Sequence, residues 1–227
     1  MTKKLLVILL LVVIVFSTCK KESTLAPEYM GYNYFPLSIG YWIAYQVDST
    51  AYVCQNSDVD TFNFNYQVKE LIESSYEDIS GRTNYRIERY SRASDSSDWE
   101  IRDVWTANID KFKAIKSEEN VQFIKLTFPV KDENKWDGNA FNILEVQEYR
   151  YVNVNVSKEI NGFNFDSTST VIQIDRSTLI SDDYSEEIFA ANIGMVYKRT
   201  MQLEKELDQT IKNGIDYTYR IIGYGNN

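Results

Sequence analysis

The chain carries 33 acidic residues, two cysteines and no histidine, and this inventory delimits the chemistry open to it. A histidine-dependent catalytic triad is excluded, and so is metal ligation by imidazole. Calcium asks for clustered oxygens. The densest candidates are Asp58 with Asp60, Asp95 with Asp98, and Asp182 with Asp183. None has the spacing of a calcium loop with its placed glycine, so they read as solvated loops. Two carboxylates facing each other across a sugar can hydrolyse a glycoside, but no local pattern marks such a pair. Cys54 lacks the basic partner that a thiolate nucleophile uses and reads as a core cysteine on a strand. The sequence therefore nominates no catalytic residue and no metal ligand.

The other cysteine, Cys19, has a different context. Lys3 and Lys4 precede an unbroken apolar run, Leu5 to Phe16, followed by Ser17-Thr18-Cys19. A basic start, a short apolar core and small residues before the cut describe a secretory signal. The run is too short for a membrane-spanning helix, which needs roughly 20 residues. With the cysteine at the cut, the segment resembles a bacterial lipoprotein signal, whose cysteine is lipidated and becomes the new first residue. That resemblance implies removal of residues 1–18 and a covalent lipid on Cys19, with no other cofactor. It implies a membrane partner through that lipid, and outer-membrane anchoring on either the periplasmic or the cell-surface face. Cys54 would then have no intramolecular disulfide partner. Residues 19–28 (CKKESTLAPE) read as a polar tether and residues 29–227 as a single domain.

The elements after the tether read as strand upon strand. Val152, Val154 and Val156 alternate with Asn153, Asn155 and Ser157, the period-two signature of a half-buried strand. Tyr85 and Ile87 alternate with Arg86 and Glu88. Trp99, Ile101 and Trp105 share a parity that Asp103 interrupts. Val121 to Phe128 is apolar on both parities, as in a strand covered on both faces. Asp137-Gly138 and Asn161-Gly162 are hairpin dipeptides, because a type I′ turn needs positive φ at both central residues. Ser80-Gly81 and Asn213-Gly214 are weaker turn signals. Two short helices are expected, Asp183 to Asn192 and Met201 to Gln209. The fold class is mainly β: a single antiparallel, strongly curved sheet, half-barrel or barrel of about ten to twelve strands, with one or two short helices.

Net charge is −9, which repels nucleic acid and excludes it as a partner. Tyr29, Tyr32, Tyr34, Tyr41 and Tyr45 crowd the domain entrance among 17 tyrosines. Tyrosine offers amphipathic contact area at low entropic cost. Tyr29, Tyr32, Tyr34 and Tyr41 are therefore a candidate binding face for envelope proteins or glycans. The alternative is that half-buried strands simply favour aromatics.

The run Tyr34-Phe35-Pro36-Leu37-Ser38-Ile39-Gly40-Tyr41-Trp42 resembles the start of the mature domain in a family of Bacteroidota lipoproteins without an assigned activity. The likeness continues at Phe123-Ile124-Lys125-Leu126 with Phe128-Pro129-Val130, at Lys135-Trp136-Asp137-Gly138-Asn139, at Phe165-Asp166-Ser167-Thr168, at Ala190–Lys198 and at the closing Tyr219–Gly225. It implies a compartment and a β fold, and no site. Asp48-Ser49-Thr50 and Asp166-Ser167-Thr168 resemble O-glycosylation acceptors of the same bacteria, nominating Ser49 and Ser167. Three readings are open on sequence: a non-enzymatic, outer-membrane-anchored binding or envelope-structural module; a lipid or lipoprotein carrier with an apolar cavity in a half-barrel; and a carboxylate-based hydrolase.

Overall fold

The computed structural model describes residues 27–55 and 58–227. Cys19, the signal segment and most of the tether lie outside the described residues. The chain opens with one helical turn, α1 (Pro27–Met30), and a 3-10 turn (Tyr32–Tyr34). α1 begins two residues before the expected domain boundary at Tyr29.

Twelve strands follow: β1 (Tyr41–Gln55), β2 (Asp58–Glu77), β3 (Thr83–Arg92), β4 (Glu100–Asp110), β5 (Lys113–Glu118), β6 (Val121–Thr127), β7 (Lys135–Asp137), β8 (Glu148–Ile160), β9 (Phe163–Ser177), β10 (Ser181–Ala190), β11 (Gly194–Lys205) and β12 (Ile211–Asn226). They form one sheet in the order β6-β5-β4-β3-β2-β1-β12-β11-β10-β9-β8-β7. All the ladders are antiparallel. A sheet this wide curls rather than staying open, and its two edges nearly meet. The Ile124 N–H of β6 donates to the Gly138 carbonyl just after β7 at 2.9 Å. The Trp136 indole of β7 donates to the Ile124 carbonyl at 2.9 Å, and Tyr151 of β8 donates to the Thr127 carbonyl at 2.8 Å. The expected mainly β, antiparallel, barrel-like class is what the chain adopts.

Both expected helices are strands. Asp183 to Ala190 lies in β10 and Met201 to Lys205 in β11. Glu187 points inward to a lysine of the next strand and Ile188 sits against Tyr197, so a run that reads as charged and helical alternates across a sheet. Asn161-Gly162 closes the β8–β9 hairpin with φ of 51° and 80°, as a type I′ turn requires. Asp137-Gly138 makes no such hairpin. Gly138 instead opens a loop to residue 147 and lies under the Tyr149 ring, where an added Cβ would sit 2.4 Å from the ring carbons. Asn213-Gly214 is not a turn either. Gly214 lies inside β12 at φ 134°, where an added Cβ would meet the Gln202 carbonyl oxygen at 2.1 Å.

The N-terminal segment packs into one end of the barrel. Met30, Tyr34 and Phe35 are buried with Ile72, Ile87, Leu126, Phe128, Tyr151 and Phe189. Tyr34 shares a hydrogen bond with Ser167 at 2.6 Å, and the Gly40 N–H donates to the Ile72 carbonyl at 2.8 Å. A second cluster joins Tyr45, Val47, Val68, Phe165, Val196 and Ile221.

Candidate functional site

The barrel interior is not apolar. Inward positions of successive strands carry Glu70 (β2), Arg89 (β3), Asp103 (β4), Lys116 and Glu118 (β5), Lys125 (β6), Glu187 (β10) and Lys198 (β11). Register explains the set. Glu70 lies opposite Arg89, Arg89 opposite Asp103, and Glu187 opposite Lys198. Arg89 donates to both Asp103 oxygens at 2.9 Å and to Glu70 at 3.3 Å, while Lys116 reaches Glu70 at 2.7 Å. Lys125 bridges Glu118 at 3.2 Å and Glu187 at 2.6 Å, and Lys198 adds a contact to Glu187 at 3.4 Å. Four cations thus face four carboxylates. The Trp105 ring lies beneath them, with the Arg89 guanidinium 3.5 Å and the Lys116 ammonium 4.9 Å from its centroid.

Burial alone would push the Glu118 carboxyl up. Lys125, Lys198 and Lys116 outweigh it and hold Glu118 well below the carboxylate range. Glu70 is likewise raised by burial but brought below its ordinary value by Lys116 and Arg89. Burial lowers Lys125, and Glu118 and Glu187 reverse that and raise it. The cavity these residues border measures about 90 Å³ and is otherwise walled by Phe35, Leu37, Ile72 and Phe189. Small-molecule pockets begin near roughly 300 Å³.

The wide concavity is on the outer face, a groove of about 720 Å³. Its floor is the outward parity of β12, β1 and β2: Arg220 and Gly223, then Trp42, Gln46 and Asp48, then Gln67 and Lys69. Asn161 of the β8–β9 turn stands at one side; Arg92 at the end of β3, with Asp95 and Trp99 of the β3–β4 connection, stands at the other. A continuous polar chain crosses the floor. Arg220 pairs with Asp48 at 2.5 Å, which accepts from Asn65 at 2.5 Å, which accepts from Gln46 at 2.9 Å. Gln67 donates to Gln46 at 3.3 Å and accepts from Arg92 at 2.7 Å, and Arg92 pairs with Asp95 at 2.6 Å.

Both tryptophans of the groove are half-buried. Trp42 lies across Gly223 and Gly225, where an added Cβ would come within 3.2–3.5 Å of its ring. The glycines let the indole rest on bare backbone. Trp99 has the Arg92 guanidinium 4.4 Å and the Lys69 ammonium 5.1 Å from its centroid. Lys69 makes no ion pair among the described residues. Burial, and then the neighbouring Arg92 charge, lower its pKa.

The tyrosines nominated from sequence do not make an exposed face. Tyr34 is buried, Tyr32 and Tyr41 are half-buried, and Tyr29 is exposed. The hydroxyls of Tyr32 and Tyr41 are used internally, donating to the Lys111 and Ile193 carbonyls at 2.7 and 2.9 Å. These rings fasten the N-terminal segment to the barrel end, the work that burial and an internal hydrogen bond define. Ser49 is half-buried in β1 and Ser167 half-buried in β9. The Ser167 hydroxyl is already engaged by Tyr34 and by the Asn155 amide oxygen at 2.6 Å. Cys54 is on a strand as expected, but half-buried near the end of β1 rather than in the core. No group of three or more candidate metal ligands gathers among the described residues.

Neither the interior ladder nor the outer groove was nominated from sequence. A partial signal was present: Gln46 and Asp48 alternate with buried Tyr45 and Val47, and Gln67 and Lys69 with buried Val68 and Glu70. The pairing of Gln46 with Gln67 depends on strand register, which is not local.

A twelve-stranded antiparallel barrel with a charged interior and a polar outer groove is the class these observations define. No family model and no curated protein matches the chain. Among solved structures, a Bacteroides fragilis protein described as exported and as having a YmcC-like fold is similar. It shares 12% identity at a TM-score of 0.43, covering 85% of this chain and 98% of that one.

Proposed function

We propose that this protein is a lipid-anchored, non-catalytic module of the cell envelope that binds its partner on the outer wall of the barrel. The observation that carries this reading is where the space lies: about 90 Å³ inside against about 720 Å³ in the outer groove. An apolar carrier needs an interior large enough for acyl chains, and this interior is occupied by paired charges. A carboxylate hydrolase needs one carboxyl raised so that it can donate a proton. Glu70 and Glu118 are instead held ionised by the cations beside them.

The lipid on Cys19 and outer-membrane anchoring rest on the sequence of residues 1–19. Metabolic labelling with palmitate followed by envelope fractionation tests them. The wild-type chain is expected to incorporate label and pellet with outer membranes. Cys19→Ser is expected to lose label and appear in the soluble fraction. A Cys19→Ser chain that stayed membrane-bound with an unchanged N-terminal mass would defeat the anchoring part of this reading.

A further inference from the structure

Resting on that reading, we infer that the outer groove binds an acidic saccharide, a glycan chain bearing uronate carboxylates. Three independent features point to this ligand class. The first is the pair of indoles. Trp42 is laid on glycine backbone and lines the groove, and Trp99 lines it from a connecting loop. Pyranose rings present a flat array of C–H groups that packs on such rings, and carry hydroxyls at the edge.

The second is the floor. Gln46, Gln67, Asp48 and Arg220 are held at fixed angles by hydrogen bonds to one another. The amide N–H groups of Gln46 and Gln67 are spent within this network; the remaining guanidinium N–H groups of Arg220 and the second lone pairs of the carboxylate oxygens are the groups that can match vicinal hydroxyls. Because their rotamers are already fixed, little entropy is lost when a ligand replaces the water over them.

The third is charge. The side chains lining the groove hold three cations, Lys69, Arg92 and Arg220, against two carboxylates, Asp48 and Asp95. Both carboxylates are already paired, with Arg220 and Arg92. Lys69 is left over as an uncompensated cation on a chain of net charge −9. Burial and the neighbouring Arg92 disfavour its charge, and a ligand carboxylate beside it would offset both. A cationic spot on an anionic body selects an anionic ligand locally while the rest of the surface repels it. The attraction is short-ranged and salt-sensitive.

The test uses the full chain in detergent, with a hexamer of galacturonic acid as the probe and cellohexaose as its neutral counterpart. Titration calorimetry reads affinity, and tryptophan fluorescence reads the indoles. The galacturonate hexamer is expected to bind and to perturb tryptophan emission, with affinity falling as salt rises. Cellohexaose is expected to bind at least about tenfold more weakly. Trp99→Ala should weaken galacturonate binding about tenfold or more. Lys69→Gln should weaken it about fivefold and flatten the salt dependence. Both variants are checked for an unchanged melting temperature. Lys69→Gln keeps the test decisive if the tryptophan variant proves unstable, because it leaves both indoles in the groove.

Equal binding of the neutral hexamer overturns the acidic specificity. Absence of binding, or binding untouched by both variants, overturns the glycan site. Either result leaves the lipid anchor and the non-catalytic reading intact. New reducing ends released from the galacturonate hexamer would instead defeat the non-catalytic reading itself.

Discussion

Lys125 shows how much one residue does in this barrel. It is the only cation bonded to both Glu118 and Glu187 among the described residues, and its side chain is 5% exposed. Removing one partner of a buried ion pair leaves uncompensated charge in a poorly solvated place. Lys125→Met is therefore expected to cost about 3–5 kcal/mol in urea-monitored unfolding. A loss under about 1 kcal/mol would mean that water reaches the pair and screens it. Little of this was readable in sequence. Val121 to Phe128 reads as apolar on both parities, and Lys125 looks like one polar interruption beside Gln122 and Thr127. A register shift between β5 and β6 at Ala114/Ile115 sends Lys125 and Leu126 both inward. Asp103 is the opposite case. Its interruption of an apolar face was visible, but its reason was not: it is the register partner of Arg89.

At the scale of elements, turn chemistry and bulges separate what is local from what is not. Asn161-Gly162 forms the turn its residues favour, since left-handed φ at both positions is a local property. Gly214 is glycine for a different reason, close approach of a neighbouring strand, and a local reading places a turn there. The two causes predict different costs. Gly81 has φ of 74° with nothing within 4 Å of an added Cβ, so Gly81→Ala should cost about 1 kcal/mol, the strain of the backbone alone. Gly214→Ala adds a collision with the Gln202 carbonyl and must part β11 from β12. It is expected to lower the melting temperature far more than Gly81→Ala. Comparable shifts for the two would show that the strands yield at little cost. The β10 segment makes the same point for secondary structure. Asp183 to Ala190 is polar and acidic at its start and has helical spacing, yet it lies between β9 and β11, where ladder hydrogen bonds and inward Glu187 and Phe189 decide. Tertiary pairing overrides weak local propensity.

For the whole molecule, the neutralised interior sets how stability responds to pH. The folded state depresses Glu70 and Glu118. Their contribution is fully present above the ordinary glutamate pKa of about 4.3 and is lost as pH falls through the depressed values. Lys125 and Lys198 are raised, so their contribution is fully present below the ordinary lysine pKa of about 10.4 and is lost as pH rises through the raised values. Melting temperature is therefore expected to be nearly flat between about pH 5 and 9, with a decline on the acid side beginning near pH 4. A molecule that melted higher at pH 3 than at pH 7 would contradict this arrangement of charges. What the sequence by itself determined is what local chemistry can determine. Alternation of apolar and polar residues specifies strands, an Asn-Gly dipeptide specifies a turn, and the absence of histidine removes whole classes of mechanism. Tertiary contact, by contrast, joins residues 133 or 152 positions apart, as the hydrogen bonds of Tyr34 with Ser167 and of Tyr41 with Ile193 do. Only the curled, nearly closed sheet decided that its tyrosines are fasteners and that Glu70, Lys125 and Glu187 meet inside. The same closure put Trp42, Gln67 and Lys69 together on the outer wall. Which face a strand residue occupies, and whom it meets across the sheet, depend on register, bulges and curvature, and these are properties of the assembled sheet.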